Sequence, residues 1–160
     1  MRLKGRKKNC GWSLIEIIVG SAIVTLSIFG VLSVAKSSLE ASERALRTAQ
    51  AGFILSEGAE AVRSMRDSLW QNISLLSTTT VYRLSFSTST NKFATTTGVV
   101  SIDGLFDRTF SVRDVARDGN GNIASSGAYD SGTKKIIMNV SWLSRAATTT
   151  KSVEFYISNI

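Results

Sequence analysis

The sequence predicts an α+β fold: a long N-terminal α-helix, its first half of membrane-spanning length, packed on a C-terminal antiparallel β-sheet. Three observations predict it. Residues 17–35 are 19 consecutive positions without a charge. Beyond them, apolar residues recur at helical spacing as far as Leu69. After Asn72 the chain turns to Ser, Thr and Gly, with apolar residues at every second position, the period of a strand with one buried face.

At 1.5 Å per residue the uncharged run makes about 28 Å of helix, close to the thickness of a bilayer's hydrocarbon core. No proline interrupts it, because the chain has none. Gly20 and Gly30 are its soft points, since glycine costs about 1 kcal/mol in a helix interior. Ahead of the run lie Arg2, Lys4, Arg6, Lys7 and Lys8, and basic residues beside an apolar span stay on the cytoplasmic side. This head carries most of the formal charge of +7: without residues 1–11, Lys and Arg fall from 19 to 14 against 12 acids, which leaves +2. A body of that charge with no basic stripe is not expected to bind nucleic acid.

Other functional classes are excluded by what is missing. Cys10 is the only cysteine, so no intrachain disulfide can form. There is no histidine, the commonest general base and metal ligand. Gly119 and Gly121 do not lead from a strand into a helix, so they do not form a phosphate loop. No catalytic set is visible; neither an enzyme nor a cofactor is expected.

Glu16 is the unusual residue, a carboxylate at the edge of a lipid-length helix. A plain membrane anchor leaves it as an unexplained cost. A secretory signal peptide fits the basic start, but the apolar region is too long and no small-x-small cleavage site follows it. The stretch Lys7-Lys8-Asn9-Cys10-Gly11-Trp12-Ser13-Leu14-Ile15-Glu16 accounts for all of these features. It resembles the cleavage and methylation site of type IV pilins and pseudopilins: a basic leader ending in Gly, an aromatic or apolar residue, Glu at the fifth position after the cut, and an unbroken apolar helix. Trp12 stands where Phe is usual. The resemblance covers residues 1–36.

The resemblance implies a sequence of events on named residues. A prepilin peptidase cuts after Gly11, and the same enzyme methylates the new amine of Trp12. Glu16 then serves assembly by pairing with a neighbouring subunit's N-terminal ammonium. The implied partners are that peptidase, other pilin subunits, an inner-membrane assembly platform and, before assembly, the lipid bilayer. The implied location is the cytoplasmic membrane as a single-pass protein, then an extracellular or periplasmic filament. Residues 57–70, with an acid-rich helix end, Arg66-Asp67 and Trp70, also look like a subgroup of minor pilins.

The domain organisation follows: a leader at 1–11, an apolar assembly helix at 12–36, its amphipathic continuation at 37–71 and a sheet head at 72–160. In the continuation, Ala51, Leu55, Gly58, Val62, Met65 and Leu69 mark one helix face, and Leu39, Leu46 and Phe53 add a seven-residue spacing. Both rows are expected to pack on the chain's own sheet, with Trp70 closing the interface. Strands are expected around Tyr82–Leu84–Phe86, at 99–102, within 108–115, and at 136–142 and 153–157, the last two forming a hairpin around 146–150. The Thr runs at 78–80, 95–97 and 148–150 read as exposed loops. Asp118, Asn120 and Asn122 alternate with glycines, a turn pattern and a weak calcium-loop pattern that lacks the closing Glu, with Asp130 one step from that position. A non-polymerising, membrane-tethered binding module is the alternative to a filament subunit.

Overall fold

A computed structural model describes residues 14–144 and 147–160. Its secondary structure is a long helix α1 (Leu14–Ser68), a short helix α2 (Gln71–Ser74) and strands β1 (Val81–Ser87), β2 (Lys92–Thr96), β3 (Ser101–Ile102), β4 (Phe106–Arg117), β5 (Ile123–Ala124), β6 (Ala128–Ser144) and β7 (Ala147–Ser158). This is the expected α+β arrangement. The chain divides into two compact units, the first ending at Glu43 and the second running Arg44–Ile160.

In the second unit the strands form one antiparallel sheet in the order β2-β1-β4-β6-β7, with β3 and β5 pairing only with β4. β4 and β6 are its centre. Phe106, Phe110 and Val112 lie opposite Trp142, Met138 and Ile136, so one face carries large apolar residues at alternate positions, with Arg108 interrupting the row on β4. The register shifts once, between Asp114 and Val115. The β6–β7 ladder runs without a shift from Thr133↔Ser158 to Ser144↔Ala147.

The helix covers that apolar face. Ala51, Ile54, Leu55, Val62 and Met65 are buried against Phe106, Phe110, Val112, Ile136, Met138, Val140 and Trp142 in one core, with Trp70 packed at its margin as the sequence predicts. Small residues bring the helix close. A Cβ on Gly58 would collide with Met138 Sδ and lie 2.9 Å from Arg108 Cδ. α1 then stops at Ser68, where the Met65 carbonyl accepts from the Leu69 N–H at 3.2 Å and from Asn72 Nδ2 at 3.0 Å, satisfying an end that the helix leaves open. α2 contributes the fully buried Ile73.

Several expectations need correction. Leu46 and Phe53 do not pack on the sheet; both are exposed, Phe53 at 76%. At 100° per residue they fall on the side of α1 opposite Ala51, Leu55, Gly58 and Val62, so the two rows cannot share one sheet. Leu39, in the first unit, is exposed as well. Leu69 lies one residue past the helix and is exposed. The strand at 99–102 shrinks to Ser101–Ile102. The hairpin loop expected at 146–150 is strand from Ala147 on, so Thr148, Thr149 and Thr150 pair with Leu143, Trp142 and Ser141 rather than forming a loop. Thr95 and Thr96 likewise belong to β2. β-branched threonine suits a strand that is solvated on both faces, which is how an exposed Thr run becomes an edge.

Candidate functional site

Glu16 lies in the first turn of α1, followed by the uncharged run. The run has a mean hydropathy of 2.4 over its most apolar 18-residue window, and none of that window is buried. By length and composition this helix is able to cross a membrane. Three of its four hydroxyls are spent internally. Ser21 Oγ donates to the Ile18 carbonyl at 2.9 Å, Thr25 Oγ1 to the Ser21 carbonyl at 2.7 Å and Ser27 Oγ to the Ile23 carbonyl at 2.8 Å. These three hydroxyls make no demand on water, so the segment presents a largely hydrocarbon surface, and among the described residues Glu16 is the charge at its mouth. Ile23, Val24, Ser27, Ile28, Val31 and Leu32 line a shallow apolar groove along it.

The remaining residues of the sequence motif, Gly11 and Trp12, lie outside the described residues, as do Arg2, Lys4, Arg6, Lys7 and Lys8. Of the motif, the structure places Leu14, Ile15 and Glu16, at the start of α1.

The second candidate, at Asp118, is a turn that closes on itself. Asp118 Oδ1 accepts the backbone N–H groups of Asn120 and Asn122, each at 2.9 Å, and the Asp118 carbonyl accepts from the Gly121 N–H at 3.0 Å. The Asn122 N–H, and secondarily that of Asn120, hold the Asp118 carboxyl below the usual carboxylate range. Gly121 adopts φ 80°, which only glycine takes without strain. Asp130, the residue near the missing ligand position, is bound elsewhere. Its Oδ2 accepts from Arg117 Nε at 2.7 Å, and its Oδ1 accepts the Gly132 N–H at 2.9 Å. Among the described residues no three of His, Cys, Asp and Glu come together as a metal site.

The Arg117 guanidinium, more than the Thr133 hydroxyl beside it, lowers the Asp130 pKa. A carboxyl depressed by folding contributes stability that is present above its unfolded pKa and is lost as pH falls through its folded pKa. Arg117→Met is expected to return Asp130 toward the ordinary carboxylate range and so shrink this contribution, leaving less stability to lose in acid. Carbon NMR titration of the Asp130 carboxyl measures it; an unchanged titration refutes the assignment.

Arg108 was not singled out by sequence reasoning. It projects from β4 between Phe106 and Phe110 and is 6% exposed. Its signal is present in the sequence, because Phe106-x-Arg108-x-Phe110-x-Val112 places a charge at an apolar beat of the alternation.

Compared with family models, with curated proteins and with solved structures, the chain matches none.

Proposed function

We propose that this chain is a structural subunit, of the minor kind, of a filament resembling a type IV pilus or pseudopilus. A prepilin peptidase trims it after Gly11 and methylates Trp12. The subunit waits in the cytoplasmic membrane as a single-pass protein and enters the filament through its apolar helix, delivered by an inner-membrane assembly platform. The observation that carries this reading is the pairing of an uncharged, fully exposed helical run with a carboxylate in its first turn. A surface of this kind requires cover, by lipid or by other apolar helices. Lipid accounts for the run but not for Glu16. A neighbour's terminal ammonium accounts for both, since pairing is what makes a charge tolerable in a low-dielectric setting.

The leader supports the same reading. Gly11 gives a protease close access to the backbone, and the preceding basic residues hold the cleavage point on the cytoplasmic side. Mass spectrometry of the mature protein is expected to find Trp12 as the first residue, carrying one added methyl group. An intact Met1, or a cut beyond the apolar run, would favour a tethered binding module or an exported protein. In sheared surface filaments the chain is expected to be present in small proportion beside a more abundant subunit.

A further inference from the structure

Among the described residues of the second unit two cations are buried, and they are treated differently. Lys134 Nζ donates to Asp114 Oδ1 at 2.5 Å and to the Tyr129 hydroxyl at 3.0 Å. Arg108 has five N–H donors to place. Its NH1 donates to the main-chain carbonyl of Ile54 at 3.0 Å and lies 3.4 Å from Glu57 Oε2. Its Nε is buried with no partner. The Glu57 side chain is 56% exposed, so water already screens the one carboxylate in reach.

The Ile54 carbonyl is also the acceptor that the α-helical ladder assigns to the Gly58 N–H. A buried guanidinium therefore occupies the second lone pair of a carbonyl in the α1 ladder. The residue at the far end of that ladder bond is glycine, the weakest helix former after proline. Gly58 is there because Met138 and Arg108 leave no room for a Cβ. Two weaknesses thus meet at a single turn: an underpaired buried charge and a glycine.

We infer that the turn at residues 54–58 is a release point, at which α1 parts from the sheet while the sheet stays paired. Opening there hydrates the guanidinium and supplies the orphaned Nε with water. Opening there also exposes Ile54 and Leu55, with the hydrated guanidinium as an offset; opening around Val62 and Met65 exposes apolar side chains with no such offset. Buried charge of this kind stabilises a fold less than an apolar residue of the same volume does. Arg108 therefore sets how readily the interface opens rather than how firmly it is clamped. The inference stands on the second unit alone and does not depend on the filament reading.

Hydrogen exchange of the full-length protein in detergent micelles tests it, because amide rates report the population of locally opened forms. In the wild type, amides 55–62 are expected to exchange about 10-fold or more faster than those of residues 108–112 in β4. Arg108→Met keeps the side-chain length, leaves the Ile54 carbonyl its helical N–H and leaves Glu57 in water. It is expected to slow exchange at 55–62 by about 10-fold with β4 and β6 unchanged. If Arg108→Met speeds exchange at 55–62, or leaves it unaltered, the arginine is a clamp or a bystander and the inference fails. Equal protection of 55–62 and 108–112 in the wild type overturns it without any variant.

Discussion

Glu16→Ala is expected to yield a protein that inserts in the membrane and is trimmed at Gly11 yet is absent from filaments. The physical asymmetry lies between the two settings. At the membrane surface a first-turn carboxylate reaches headgroup and water, so its removal costs nothing there. Inside a bundle of apolar helices, the terminal ammonium of the adjoining subunit would be left buried without a partner. Breaking a buried pair by deleting one member costs roughly 3–5 kcal/mol, or about 10²–10⁴-fold in occupancy per contact. Glu16→Gln keeps the shape and removes the charge, and is expected to behave like alanine. The measurement is the ratio of variant to wild type in sheared filaments, set against the same ratio in the membrane fraction. Equal ratios would remove Glu16 from assembly.

Gly58→Val is expected to destabilise the second unit by about 3 kcal/mol, the upper part of the range for overpacking a filled core. A first carbon on residue 58 already meets Met138 Sδ and comes within 2.9 Å of Arg108 Cδ. Met138 is fully buried, so it has no space into which to retreat. Branching at the β-carbon adds a second collision and lowers helix propensity. Alanine is the milder test, because its better helix propensity offsets about 1 kcal/mol of the strain. Denaturant titration of the full-length protein in micelles, followed by the near-ultraviolet signal of Trp142 and Trp70, reads the loss. A Gly58→Val protein as stable as wild type would mean that the helix rides higher over the sheet than the contacts indicate.

These two residues differ in how far the sequence announces them. Glu16 stands out by type and place alone, a charge beside residues 17–35. Gly58 falls on an apolar row, but nothing in the chain says that Met138, 80 positions later, closes over it. Strand β6 is legible because residues 136, 138, 140 and 142 are all large and apolar, and all four are buried. Strand β2 is not, because Lys92-Phe-Ala-Thr-Thr offers one large apolar residue and lies at the sheet's edge, where burial is partial. The helix shows a subtler failure. Both of its apolar rows are visible as periods, and the larger residues, Leu46 and Phe53, are on hydrophobicity alone the better choice for the core. Close approach to a sheet selects the row with Ala51 and Gly58 instead, since backbone spacing favours small side chains where layers meet. The period was readable; the choice between faces depends on a partner surface encoded elsewhere in the chain.

The order of elements along the chain has a consequence for biogenesis. The helix face carrying Val62 is synthesised 76 residues before Met138, the centre of the sheet that covers it. At about 5–20 residues per second, a nascent chain holds that face uncovered for roughly 4–15 s. Throughout that interval the ribosome displays a bare greasy stripe with no lid, directly behind a segment suited to immediate uptake into lipid. Early capture of the leading end by the insertion machinery would hold the stripe near a bilayer surface and away from other nascent chains until β4, β6 and β7 emerge to fold against it.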